Sequence, residues 1–393
     1  MVEQPVILAA RRTPVGRFMG SLSGASAPAL GSVAIEAALS DAPGARDHVD
    51  ECILGCVLQA GLGQNPARQA GLGAGLPETL SAQTINKVCG SGLQSVMLAA
   101  QSIKAGDNRL VVAGGIESMT RAPHFAHVRQ GVKFGPGALE DHMAYDGLRC
   151  AFETCMMGDS ADYIAQKYEI SREDQDRFAA RSHRLAAEAT KEGFFASETV
   201  RLTAEQAGQR RGDGLSVDEG IRPETNLDGL AKLRPAFNKD GTVTAGNASQ
   251  ISDGAAAVIV ASASKAEELG VRPMAKIVAY HTSGVKPRDI FRAPSLAAPA
   301  VLEKAGLTVH DIDVFELNEA FAAQSLQNIR EANIPEEKVN VCGGAIALGH
   351  PIGASGARVL TTLLHQMVRL DAGRGLAALC LGGGNAVAMV VER

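Results

Sequence analysis

The chain has 393 residues, 46% hydrophobic and 21% charged, which suits two or three packed domains and excludes a small stapled scaffold or a disordered polymer. A formal net charge of -5 and an aromatic fraction of 4% without Trp exclude general nucleic-acid binding, which needs a basic surface and stacking platforms. Seven Cys spread along so long a chain do not form the dense framework of a secreted domain, so a reducing, cytoplasmic setting is expected.

In chain order, Val6 to Ala10 reads as a strand, Ala29 to Ser40 as a helix and the apolar Cys52 to Leu58 as a second strand. Ser91 to Ala105 carries apolar residues at helical spacing and is stopped by Gly106-Asp107-Asn108, after which the strand Leu110 to Ala113 runs into Gly114-Gly115. The same grammar returns near the end. Gly353 to Leu370 reads as a helix, Asp371-Ala372-Gly373 stops it, and the strand Leu376 to Leu381 runs into Gly382-Gly383-Gly384. This alternation predicts an α/β protein with a covered sheet and an internal duplication. The uncharged stretch from Gly375 to Val391 is broken by that glycine triplet, so it reads as strand, turn, strand rather than a membrane span. No export signal is read in the N-terminal segment.

Between the halves the texture changes. The charged helix Ser171 to Glu192 opens with Ser171 as a helix cap, and Arg210, Arg211, Arg222, Lys232, Arg234 and Lys239 crowd together in sequence. They suit an anionic small molecule, and equally a solvated face. The expected organisation is a first half of residues 1–118 plus 248–270, an inserted loop domain of 119–247, and a second half of 271–393.

Three residues carry the chemistry that the sequence offers. Cys89, in NKVCGSG, stands where an extended segment turns into a helix, and helix N-terminal N–H groups favour a thiolate. His350, in GGAIALGHPIGASG, occupies a glycine-punctuated turn ahead of a helix, where an imidazole can act as base, acid or oxyanion donor. Cys380 ends a core strand before the glycine triplet and can shuttle a proton if its pKa is tuned. Taken singly, each Cys is more often a packed core residue, and His350 is as readily a satisfied turn residue. Asn318, in NEAFA, is expected at a helix start, as a cap or holding a water. A phosphate loop is excluded because His350-Pro351 stands where Lys and Ser or Thr would be needed. No structural zinc is expected, since CxxC and HExxH are missing. Asn247-Ala248-Ser249 matches a glycosylation sequon but reads as an ordinary loop.

Taken together, NKVCGSGLQSV, GGIESM, GTVTAGNAS, NEAFA, GGAIALGHPIGASG and CLGGG resemble the thiolase family over essentially the whole chain. The resemblance implies two similar βαβαβαββ halves in a five-layered αβαβα core with an inserted loop domain, and a homotetramer, a dimer of dimers. It implies that Cys89, helped by His350, attacks an acyl-CoA thioester. Cys380 then deprotonates a second acetyl-CoA, whose carbanion attacks the acyl-Cys89. One oxyanion site would be the N–H groups of Cys89 and Gly382, and the other His350 with a water on Asn318. Coenzyme A is then substrate and product, with no tightly bound cofactor and no metal. Its contacts by resemblance are Leu148, Met157, Arg222, Phe237, Ala245, Ser249 and Phe321.

Departures from the family pattern fall at Met156-Met157-Gly158-Asp159, at Gln250, at Ile290 to Pro294 and at Asn385-Ala386. They touch pocket shape and remove no catalytic group. The rival expectations are a degradative enzyme for longer acyl chains and a non-catalytic relative that binds CoA or lipid. A decarboxylating synthase would need a second His where Cys380 stands.

Overall fold

The computed structural model describes residues 2–393. In chain order the first half comprises β1 (Pro5–Arg12), α1 (Ala27–Ser40), β2 (Glu51–Gly55), α2 (Pro66–Gly73), β3 (Ser81–Ile85), α3 (Ser91–Ala105) and β4 (Leu110–Ser118). Two helices, α4 (Met157–Lys167) and α5 (Arg172–Lys191), precede β5 (Ser252–Ser262). The second half runs β6 (Ala275–Gly284), α6 (Ala293–Ala305), β7 (Val314–Leu317), α7 (Ala322–Glu331), α8 (Ser355–Arg369), β8 (Arg374–Leu381) and β9 (Asn385–Glu392).

The strands form a ten-stranded sheet in the order β7-β8-β9-β6-β1-β5-β4-β2-β3, with Gly16–Arg17 added on β5. Cut between β6 and β1, it falls into two arrays of one topology. In the first, β3 and β4 lie parallel to β2, while β5 is antiparallel to β4 and to β1. In the second, β8 lies parallel to β7, and β9 is antiparallel to β8 and to β6. The counterpart of β3 has shrunk to a single parallel bridge, Phe315 to Val339. The arrays meet antiparallel through Val6 with Lys276 and Ile7 with Ala275.

Strand parity then sorts the layers, because successive side chains point to opposite faces. On β4, Leu110 and Val112 face α1 and α2, whereas Val111 and Ala113 face α3 and α8. On β8, Ala377 and Leu379 face the same central pair of helices, and Leu376 and Ala378 face α6 and α7. Two outer helical layers, two sheets and one shared helical layer make a five-layered αβαβα core. At its centre α3 and α8 touch through glycine. A Cβ on Gly92 would lie 2.6 Å from Ala357 N, and one on Gly356 would lie 2.3 Å from Leu93 N. The two helices therefore start side by side.

Residues 119–247 add no strand to the large sheet. They carry a separate two-stranded ribbon, His124–Phe125 with Glu140–Asp141, and the helices α4 and α5. Ser171 caps α5 by accepting from Asp174 N. The buried face of α5 packs on the segment before His350, through Ala186 and Ala189 against Cys342, Ala347 and Leu348. Arg12, fully buried on β1, binds Glu198 at 2.6 Å and Asp218 at 2.7 Å, and so anchors this region to the sheet.

Three element readings need correction. The strand predicted for Cys52 to Leu58 ends at Gly55, and residues 56–58 leave the sheet as a bend. The strand predicted for Leu110 to Ala113 runs through Gly114-Gly115 to Ser118; a Cβ on Gly114 would lie 2.2 Å from Ala256 O, so glycine there serves close backbone approach. Asn318 does not start a helix. It follows β7, and α7 begins at Ala322 after Phe321 at the cap position.

Candidate active site

Cys89 is set by a tight turn between β3 and α3. Val88 takes φ 47°, a left-handed conformation that costs a β-branched residue on the order of 1–3 kcal/mol and marks a constrained site. Ser91 holds the turn by donating to Val88 O at 2.6 Å and accepting from Lys87 N at 2.8 Å. The thiol is half-buried in the wall of a cavity of about 550 Å³. Burial pushes its pKa up to about 12, although the backbone N–H groups of Gly382 and Cys89 itself pull it down. The N–H at the helix start thus acts in the expected, lowering direction, and burial among apolar neighbours is the larger effect.

Cys380, on β8, lines the same cavity and is 2% exposed. Its pKa is pushed well above the ordinary value, first by burial and then by Cys89 nearby. Phe291, Ala320 and Phe321 pack around it.

His350 lines the cavity from the turn leading into α8. Its backbone N–H donates to Gln250 O at 3.1 Å and Ser252 Oγ at 3.2 Å. The ring Nδ1 lies 2.6 Å from Ser355 Oγ, itself 2.8 Å from Pro351 O. With the hydroxyl donating to that carbonyl, Nδ1 carries the proton and Nε2 keeps its lone pair. Nε2 lies 3.5 Å from Asn318 Nδ2, and Asn318 Oδ1 is buried without a partner. Burial, then the Arg358 guanidinium, lower the His350 pKa to about 3, so the ring rests neutral.

That shift has a thermodynamic sign. Between about pH 6.5 and 3 the unfolded chain binds a proton on this His that the folded chain refuses, so stability is full above 6.5 and falls as pH drops, by about 1.4 kcal/mol per unit. Urea unfolding at pH 7.5 and pH 5 should show a loss about 2 kcal/mol smaller in His350→Asn than in the parent protein. His183, whose pKa burial lowers to about 4, acts the same way in both proteins and cancels. An equal loss in parent and variant would remove His350 from the acid response.

Of the residues expected around coenzyme A, Leu148, Met157, Arg222, Phe237, Ala245, Ser249 and Phe321 all line the cavity, as do Gly382, Met156 and Gln250. Asn318 does not itself line the cavity; its Nδ2 lies 3.5 Å from His350 Nε2. Two groupings dissolve. Among the six crowded basic residues only Arg222 reaches the cavity, because the others lie on exposed loop. From Ile290 to Pro294 only Ile290 and Phe291 reach it, while Arg292 turns outward to pair with Glu331.

The departures have local reasons. Asp159 caps α4 by accepting from Met156 N at 2.9 Å. The Gln250 amide donates to Gly220 O at 2.8 Å and Ile346 O at 3.0 Å, stapling the segment before β5 to the His350 segment. Sequence reading missed Arg17 and Phe18, which line the mouth just after β1, and Ser355, the partner of His350. A serine at the start of α8, five residues after the histidine, was the available signal. The sequon residue Asn247 is fully buried and donates to Asp176. All seven Cys are free thiols. Among the described residues no cluster of three or more His, Cys, Asp or Glu is placed to hold a metal ion, and no helix is long and apolar enough to cross a membrane.

Comparison with known proteins agrees with this layout. The thiolase N-terminal domain family matches residues 5–264 and the thiolase C-terminal domain family matches 271–393. An acetyl-CoA acetyltransferase of Chromobacterium violaceum is 52% identical over 98% of this chain and 99% of its own. One from Cupriavidus necator is 51% identical over 99% of each, and a probable acetyl-CoA acyltransferase of Staphylococcus aureus is 50% identical over 99% of this chain and 98% of its own. The crystal structure of the Bacillus anthracis acetyl-CoA acetyltransferase superposes with a TM-score of 0.97 at 40% identity, covering 100% of this chain and 99% of the other. With both family domains matched end to end and the fold shared, the chain belongs to the thiolase family.

Proposed function

We propose that this chain catalyses the reversible Claisen condensation of two acetyl-CoA to acetoacetyl-CoA and CoA through an acyl-Cys89 intermediate. The observation that carries the reading is the convergence of two thiols and a neutral imidazole on one largely apolar cavity. A neutral His350 with a free Nε2 can take the Cys89 proton as sulfur attacks the thioester carbonyl, while Cys380 gives its own proton to the departing CoA thiolate, which leaves Nε2 protonated and Cys380 a thiolate. The high resting pKa of Cys89 fits a thiol that loses its proton only as it attacks. The N–H groups of Cys89 and Gly382 would then serve the oxyanion. In the second half-reaction that Cys380 thiolate takes a proton from the methyl carbon of acetyl-CoA. The enolate oxygen accepts from the protonated His350 Nε2 and from a water held by Asn318, and the carbon attacks the acyl group as Cys89 leaves and takes its proton back from His350. Arg222 at the mouth suits the phosphates of CoA, with Leu148, Met157, Phe237, Ala245, Ser249 and Phe321 along its arm.

The pocket end favours a short acyl group. Phe291 is 2% exposed and meets Phe321 edge to face at 5.2 Å, closing the wall behind Cys380. Thiolysis of acetoacetyl-CoA should therefore exceed that of longer 3-oxoacyl-CoAs by roughly tenfold or more in kcat/KM. A preference for longer chains would transfer the reading to a degradative thiolase, and activity on none would end it. The homotetramer and a cytoplasmic location belong to the same reading. The exposed Val128, Val132, Phe134 and Leu139 support a contact between copies, which light scattering checks.

A further inference from the structure

Glu117 lies near the end of β4, wholly buried, and has no part in the scheme above. Its oxygens accept three backbone N–H groups drawn from both halves of the molecule. Leu58 N donates to Oε1 at 3.1 Å, while Val57 N and Gly353 N donate to Oε2 at 3.2 and 2.8 Å. Val57 and Leu58 follow β2 of the first half. Gly353 belongs to the turn between His350 and α8 of the second.

The segments that this carboxyl draws together stand directly behind the reacting groups. Val57, Leu58, Met119 and Ile352 form a small apolar cluster, and Cys89 packs against it. The fit at Gly353 is close, since a Cβ there would lie 2.7 Å from Glu117 Oε2. Cys56 Sγ, 3.9 Å from Oε1, Asp253 on β5 and Cys89 itself are the titratable groups within reach of its charge. At the other end of the His350 segment, Glu319 accepts from Ile346 N at 3.2 Å and Ser182 Oγ at 2.7 Å. That anchor joins the segment to α5 and to its own half, whereas Glu117 spans the seam.

We propose that Glu117 is a positioning residue that fixes the register between Cys89 and His350 by holding the β2 exit and the Gly353 turn on one carboxyl group. The inference rests on the acyl-Cys89 reading. A shift of about 1 Å between a nucleophile and its base costs on the order of 100-fold in rate without changing what the pocket binds.

The test uses Glu117→Gln, which turns an amide NH2 toward an N–H donor, and Glu117→Asp, which keeps the charge on a shorter arm. In Glu117→Gln, kcat for acetoacetyl-CoA thiolysis should fall about 30-fold or more, with KM within about threefold of the parent. Alkylation of Cys89 by iodoacetamide, read by peptide mapping, should slow in parallel, and Glu117→Asp should recover part of both. A loss carried by KM, a loss of activity with unchanged alkylation, or failure of both variants to fold would overturn the proposal. A parent protein inactive on acetoacetyl-CoA would instead overturn the functional reading, and the alkylation rates would still decide the role of Glu117.

Discussion

Cys89→Ala should lose acyl transfer almost completely, with kcat for acetoacetyl-CoA thiolysis down by about 10⁴-fold or more and no acyl adduct on the protein by intact mass. The magnitude follows from what the rest of the cavity does. His350 is neutral and Cys380 is a buried thiol of high pKa, so neither is a ready nucleophile in the resting protein. The alternative of a non-catalytic CoA-binding relative makes the opposite forecast. It expects the parent protein itself to show no acyl adduct with acetyl-CoA, and Cys89→Ala to change nothing.

The second large effect separates the two half-reactions. Cys380→Ser should retain acetylation of Cys89 by acetyl-CoA, measured as label bound to protein, while condensation to acetoacetyl-CoA falls by about 10³-fold. A hydroxyl in that position is far less acidic than a thiol and cannot take a carbon-bound proton near neutral pH. Cys380 sits among Phe291, Ala320 and Phe321, so serine also leaves its hydroxyl in an apolar setting. Equal loss of labelling and condensation would contradict the division of labour between the two cysteines.

Much of this architecture is legible in the sequence because its signals are local. The helix Ser91 to Ala105 matches residue for residue, since its apolar spacing is helical and Gly106 ends it in a left-handed conformation at φ 85°. The glycine triplet after Cys380 marks the hairpin between β8 and β9 for a similar reason, with Gly383 and Gly384 at φ 85° and 94°. What stayed hidden depends on partners far away in the chain. Glu117 gains its meaning from Gly353, Gln250 from Ile346, and Arg12 from Asp218, and no window of sequence contains any of the three pairs. The Cys89 pKa is hidden for another reason: helix polarity is visible in sequence, but the desolvation that outweighs it is a property of the closed cavity. Of the six basic residues close together in sequence, only Arg222 lines the cavity, and the solvated-face alternative holds for the exposed others.

The strand order also constrains how the chain can be made. β1 is flanked by β5 and β6, whose residues lie about 250 and 270 positions later, so it leaves the ribosome well before either partner. The first array therefore cannot close until β5 has been synthesised, and a fragment lacking β5 would leave the edges of both β1 and β4 unpaired. The two halves of the duplicated plan join only when β6 pairs with β1. Folding waits on contacts of long sequence separation, which predicts slow assembly and a nascent chain with exposed strand edges, the state in which such a protein is most open to aggregation.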